Sequence, residues 1–389
     1  MNQFLTYALA IVTTTILAQK PEKIYGGARQ HKSIEYYKEQ ASAWKREIEK
    51  DPKNPNSWYN YYYVYRNLLF MDTTDKRSYE EKSAFFEKMS NDMERNIPNT
   101  YEFNLCKWMI GGFDMKLLPY LKQAVQLGEN RTEHLDYMIN IGETERNIKD
   151  RDLYSIKKFE AGLFSAGIIN YNYNVLMGLE KNAILITEGD NDTYPAWLLQ
   201  AQGVRKDVTI LNLFLINGLT DYRDKIFKEL GVSKWEQDAE TNAAMIEKEK
   251  DKFRKQIIEH ISRNTKNFPV YVALTAACNE KNLETIKQHL YLTGLAYLYS
   301  TKPIDNLAFL KRHFEQSFAL DYLDKTFYQD LSPQMVKLAN SNYIVPMLTL
   351  YDHYKNAGDE QKQNWIRAKV TAIAKGTEFE TSVEDHFTR

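Results

Sequence analysis

The stretch from Asn182 to Gln202 (NAILITEGDNDTYPAWLLQAQ) constrains the fold more than any other part of the chain. A short apolar run, Ala183 to Thr187, is followed by a turn built from Glu188, Gly189, Asp190, Asn191 and Asp192. A helix-prone segment then begins at Tyr194-Pro195. This order predicts a buried strand, a polar loop at its carboxyl end and a helix that starts at once. Ligands of open α/β sheets bind beyond the carboxyl ends of the strands, so any chemistry is expected here.

The surrounding sequence repeats the alternation. A helix over 168–179 leads into the first strand, and the connection Gly203–Asp207 (GVRKD) leads into a second strand, Val208–Leu215. Helices are expected over 221–230, with Gly231 as the stop, and over 236–261, with Met245, Ile246, Phe253, Ile257 and Ile261 inward. A third strand is read at Pro269–Thr275, a helix at Asn279–His289 and a fourth strand at Leu295–Tyr299. The fold class is therefore α/β, a small and mostly parallel sheet with flanking helices, spanning residues 166–325. Helices over 333–354 and 359–375 place a C-terminal helical segment at 326–389, its last dozen residues frayed.

The amino-terminal part is different. Tyr37, Ala41, Trp44 and Ile48 share one helix face, and Asp51-Pro52 ends that helix. Asn54-Pro55 starts the next, with Trp58, Tyr61 or Tyr62, Tyr65 and Leu68 inward. This junction is similar to a turn between tetratricopeptide repeats. With helices at 79–94, 114–127, 132–146 and from about Asp150, it defines an α-helical, tetratricopeptide-like domain over 19–165. Residues 1–18 read as a signal peptide, with an apolar run too short to span a bilayer and no Lys or Arg. The expected location is periplasmic, as an exported soluble protein without a membrane span after cleavage.

The formal net charge of −1 gives no global field for nucleic acid or anionic membranes. Most of the 27 tyrosines are expected to serve packing. Cys106 and Cys278 lack neighbours at metal-ligand spacing and read as two buried thiols. No G-x-S-x-G, H-E-x-x-H, P-loop or G-x-G-x-x-G occurs, and the seven histidines are scattered.

Candidate chemistry therefore rests on one loop. Glu188, Asp190 and Asp192 alternate, and such carboxylates can converge on Mg²⁺ or Ca²⁺; Thr193 and Leu199 stand where a calcium loop wants Gly and Glu. The structural alternative has Asp192 or Thr193 capping the helix, Gly189 in a left-handed turn and Asp190 tying the loop. Asp190, Asn191, Asp192, Thr193, Tyr194, Arg205 and Asn212 are the candidate ligand-binding residues. Arg205 reads more readily as a salt bridge to Asp207, and Tyr194 and Trp197 as core rather than a sugar platform.

The blocks GDNDTYP (Gly189–Pro195), GVRKD and GLAY (Gly294–Tyr297) resemble the soluble C-terminal region of a Bacteroidota membrane-protein family of unassigned function. That family is distantly similar to protein O-mannosyltransferases. The likeness covers about residues 166–355. It implies a periplasmic setting, but the membrane half that would carry glycosyl transfer has no counterpart here. The expected function is a binding or scaffold protein accessory to envelope assembly, secretion or glycan handling. A protein partner would sit on the helical domain and a small polar or sugar-like ligand at the loop, with no cofactor. The alternative is a metal-assisted enzyme acting on a glycan or phosphoester, with Asp190 and Asp192 holding Mg or Ca and Glu188 as acid/base.

Overall fold

The computed structural model describes residues 20–388 except 28, 236–249, 278–282, 284 and 326. The expected signal peptide, the start of the 236–261 helix and Cys278 lie outside the described residues. The chain forms two compact units, the first ending at Glu129 and the second starting at Asn130, with Arg29 and Gln30 belonging to the second.

The first unit is helical: α1 (Ile34–Lys50), α2 (Pro55–Met71), α3 (Tyr79–Asn96), α4 (Tyr101–Ile110) and α5 (Leu118–Leu127). Asn54 caps α2 by accepting the Asn56 N–H, with Pro55 in the first turn, as its sequence predicts. Tyr62 rather than Tyr61 points inward, and Tyr65 is half-buried. Helix α4, capped by Thr100, had no place in the sequence reading. It is short, and its apolar residues show little sidedness because most of them are buried. Residues 20–25 are tied to the helices by buried side chains. Asn60 Oδ1 accepts the Ile24 N–H at 2.8 Å, Asn67 donates to the Tyr25 carbonyl at 2.8 Å, and Trp44 donates to that of Glu22 at 2.9 Å. Buried amides thus hold an extended segment against α1 and α2. Cys106 is a buried free thiol on α4.

The second unit opens with α6 (Leu135–Thr144), α7 (Ile148–Glu160) and α8 (Ala166–Met177), then β1 (Ile184–Thr187) and α9 (Asp190–Ala201). There follow β2 (Thr209–Asn212), α10 (Leu213–Gly218), α11 (Thr220–Leu230) and α12 (Lys250–Asn264). Strands β3 (Val270–Ala273), β4 (Leu290–Leu292) and β5 (Ala296–Tyr299) complete the sheet. Helices α13 (Asn306–Arg312), α14 (Pro333–Asn340), α15 (Ile344–Ala357), α16 (Glu360–Ala374) and α17 (Glu380–Thr388) close the chain. Helices α6 and α7, which the sequence reading grouped with the N-terminal helices, lie in this unit, where α7 packs on α9. Gly142 lets α6 close on α7: a Cβ there would come within 2.4 Å of the Arg151 backbone nitrogen.

Strand order is β2-β1-β3-β5-β4. β1 pairs in parallel with β2 and β3, whereas β5 pairs antiparallel with β3 and β4. The sheet is therefore mixed, which corrects the expectation of a mostly parallel one. The cause is a hairpin: β4 and β5 are separated by Thr293 to Leu295, with Gly294 at φ +157°, too short for a crossover. β4 occupies residues between the expected helix end at His289 and the expected strand start at Leu295, where no strand was read. β1 is buried at every position, as expected for a central strand covered on both faces. β2 ends early because Asn212 caps α10, its side chain accepting the Leu215 N–H.

The C-terminal helices pack back onto α8. Asp330 accepts the Gly167 N–H at 2.9 Å, and Asn174 donates to the Tyr343 hydroxyl at 2.7 Å. The final residues are not frayed: α17 buries Val383 and Phe387. Beyond α13, His313 is buried and donates through Nδ1 to the Thr293 carbonyl at 2.5 Å. Burial pushes its pKa down to about 4, so the ring is neutral, and Arg312 lies 3.3 Å from Nε2. No described helix is long and apolar enough to cross a membrane.

Candidate functional site

The carboxyl end of β1 carries the GDNDTYP block, and its geometry differs from a loop followed by a helix at Pro195. Helix α9 begins at Asp190, with Gly189 as N-cap and Pro195 inside the helix. Gly189 is extended, at φ −109°, rather than left-handed. The reason is Asp192, the third helical residue. Its Oδ1 accepts the Gly189 N–H at 2.7 Å and its Oδ2 the Glu188 N–H at 3.0 Å, so it supplies the carboxylate half of a capping box. Asp192 ties the turn.

Two hydroxyls complete the environment of that carboxylate, Thr275 at 2.6 Å and Thr193 at 3.3 Å. Thr275 follows β3, so the contact joins adjacent strand ends across the sheet. Thr193 shares a 2.8 Å hydrogen bond with Thr187 and accepts one from Asn212 at 2.9 Å. Asn212 also donates to the Glu188 carbonyl at 3.1 Å. Asn172, from α8, donates to the Asn191 carbonyl at 2.8 Å. Asp192 is only 4% exposed, and burial raises its pKa against the opposing pull of these hydrogen bonds.

Of the candidate residues, Asp192, Thr193 and Asn212 are brought together, with the Asn191 backbone beside them. Asp190 is exposed on the first turn of α9. Residues two apart on a helix point roughly 200° from one another, so Asp190 and Asp192 do not form one face. Among the described residues, no group of three or more His, Cys, Asp or Glu side chains is placed to hold a metal ion. Tyr194 and Trp197 are buried: Asn140 donates to the Tyr194 hydroxyl at 2.8 Å, Lys158 lies 4.7 Å over the Tyr194 ring and Arg151 lies 5.6 Å over Trp197.

Arg205 lies elsewhere, at the amino end of β1. Its five N–H groups find five acceptors. Nε and Nη2 grip the Asp207 carboxylate at 2.9 and 3.0 Å. Nη1 reaches the carbonyls of Leu176 and Leu179, and Nη2 that of Glu180, all within 2.8 Å. The guanidinium thereby caps the end of α8, which offsets its own left-handed backbone (φ 45°). Asp207 also accepts the Asn182 N–H at 2.8 Å, and the Arg205 bonds hold its pKa down at about 2.

Sequence reasoning missed Thr275 and Asn172, although a Thr directly after a parallel strand is a usable signal for this edge of the sheet. It also missed Glu143, buried on α6, which pairs with Arg151 at 2.9 Å, accepts the Tyr222 hydroxyl at 2.8 Å and meets Arg146. Nothing in the local sequence marks that cluster, which links α6, α7 and α11.

The strand, brace and helix together define a carboxylate-braced β–α turn at the carboxyl end of β1 in a small mixed sheet. Residues 168–226 match the family model of TMEM260-associated domain 2. The match covers most of α8, then β1, α9, β2, α10 and the first half of α11, and is shorter than the stretch over which the family likeness was read. No curated protein matches the chain.

Proposed function

We propose that this is an exported, periplasmic protein of a Bacteroidota-type envelope that acts by binding, as an accessory or scaffold in envelope assembly, secretion or glycan handling. The observation that carries the reading is that polar groups of the GDNDTYP block are engaged within the fold. Asp192, Thr193, Asn212 and Thr275 form a brace, and a carboxylate holding two backbone N–H groups and two hydroxyls stabilises a turn rather than turning over a substrate. The helices of the first unit, tetratricopeptide-like at the α1–α2 turn, would hold a protein partner. The domain match is compatible with a distant link to protein O-mannosyltransferases, whose transfer chemistry is not part of this proposal.

The test sets this reading against a metal-assisted enzyme that uses Asp190, Asp192 and Glu188. Melting temperatures of the wild type, Asp190→Asn and Asp192→Asn are measured with and without millimolar Mg²⁺, Mn²⁺ or Ca²⁺. The binding reading expects Asp192→Asn to melt early without metal and Asp190→Asn to melt like the wild type. It also expects no metal-dependent shift in any of the three proteins. A metal-induced rise in the wild type that Asp190→Asn abolishes would favour the enzyme.

A further inference from the structure

Helix α13 runs on into a π turn, His313–Ser317, closed by the Phe318 N–H on the His313 carbonyl at 2.8 Å. Such turns are rare and are frequent at functional sites. The His313 ring is 2% exposed. Phe318 stacks on its face, with centroids 5.4 Å apart and planes 24° from parallel. Its edge meets the β4–β5 turn, where the buried Thr293 takes the Nδ1–H on its carbonyl at 2.5 Å. Gly294 follows at φ +157°, and a Cβ there would lie 3.2 Å from Nδ1 and 3.1 Å from Phe318 Cζ. The Gly294–Tyr297 block therefore closes directly on this ring, besides supplying strand β5.

A carbonyl only accepts, so Nδ1 carries the proton and Nε2 is the acceptor that faces Arg312 Nη2 at 3.3 Å. A second proton would set an imidazolium N–H against a guanidinium N–H. Among the described residues His313 has no carboxylate partner, and Arg312 is the charged group that acts on it, against protonation. The other ionisable groups on the packed elements do not offset this. On the π turn itself, Glu315 accepts from the Tyr354 hydroxyl and from Lys362 at 3.1 Å. The hairpin brings Tyr291, Tyr297 and Tyr299, with His289 against the Tyr299 ring, and α8 brings Tyr171 and Tyr173. From α15 come Tyr351, His353, Lys355 and Asp352, whose carboxylate lies on His386 at 2.9 Å.

We infer that His313 is an acid-released latch: protonation of the ring separates the π turn from the β4–β5 turn while helices α15 and α16 stay folded. The hydrogen bond to Thr293 tolerates the extra proton. Burial of the charge beside Arg312 does not, so the ring takes its proton by reaching water. Opening this contact frees one turn and β4, a three-residue strand at the end of the sheet order. Helices α15 and α16 keep a core of their own in Met347, Leu350, Ile366 and Val370, all buried. Segments with few buried contacts open locally, well before the whole fold does.

The experiment is amide hydrogen exchange of the full chain at pH 7 and pH 4.5, read by mass spectrometry and corrected for intrinsic rates. Opening of peptides covering 290–299 and 309–320 should rise on the order of 50-fold at the lower pH. That ratio follows from a ring pKa of about 4 when closed and about 6.5 when open. Peptides from α15 and α16 should change by less than about threefold. In His313→Gln, whose amide keeps a donor for Thr293, the acid-dependent rise should vanish. Arg312→Gln alters an exposed residue and lets the closed ring accept a proton more readily, so its rise should be smaller than that of the wild type. It decides the matter even if His313→Gln does not fold. Equal loss of protection in α15 and α16, or a full acid-dependent rise in either variant, would overturn the inference.

Discussion

Arg205 and Arg223 stand within the same matched segment and meet opposite environments. Arg205 keeps some contact with water, and yet all five of its N–H groups are used, two of them on the Asp207 carboxylate. Arg223 is nearly sealed from solvent and has two acceptors and, among the described residues, no ion pair. A saturated arginine at a helix end is architecture: it joins the end of α8 to the connection before β2. A buried arginine with an unused N–H is a demand that the fold itself leaves unmet. Burial alone therefore separates nothing; the count of partners does.

The comparison breaks first at Arg205. Arg205→Ala should cost about 3–4 kcal/mol, because three carbonyls and a carboxylate lose their donor together. Urea denaturation measures it, and Arg205→Lys should recover no more than half, since an ammonium lacks the planar fork. A loss below about 1 kcal/mol would put Arg205 in the same position as Arg223.

Asp192 is the acidic counterpart of Arg205. Asp192→Asn should lose about 2–3 kcal/mol, because one amide oxygen cannot accept from Glu188 and Gly189 while its NH₂ faces the same donors. Thr193→Val, which keeps the shape and removes the hydroxyl shared with Thr187 and Asn212, should lose about 1–2 kcal/mol.

His313 meets the same problem by giving up its charge. Its folded pKa of about 4 lies below the unfolded value, so the unfolded chain binds the extra proton first as pH falls. The stability it contributes is complete above about pH 6.5 and is lost progressively toward pH 4, by on the order of 2–3 kcal/mol. Denaturation midpoints across that window should flatten in His313→Gln. An unchanged slope would assign the acid sensitivity to other groups.

The smallest effect is the sharpest contrast. In urea denaturation, Arg223→Met should change stability by less than about 1 kcal/mol, since the lost hydrogen bonds are offset by removal of a buried charge that has no ion pair among the described residues. A loss comparable to that of Arg205→Ala would make Arg223 a structural residue.

Local chemistry made much of this molecule legible in the sequence. The apolar run at Ile184–Thr187, the Asn54-Pro55 start of α2 and the Gly231 stop of α11 (φ 65°) act within a few residues of themselves, so periodicity and capping rules reach them. The Arg205–Asp207 pair, two residues apart, was likewise within reach. What lay beyond reach depends on partners far along the chain. Helix α9 starts at Asp190 because Asp192 turns back on the Glu188 and Gly189 N–H groups while Thr275, from the end of β3, supplies a further hydroxyl. The sheet is mixed because β5, legible as a strand, forms a hairpin with β4, a three-residue strand too short for a local pattern to mark. Sequence alone determined where most of the strands and helices stand, since those follow from side-chain type and spacing. Tertiary structure decided which charges find partners, because a hydrogen bond requires two atoms within about 3 Å, and only the folded chain sets that distance.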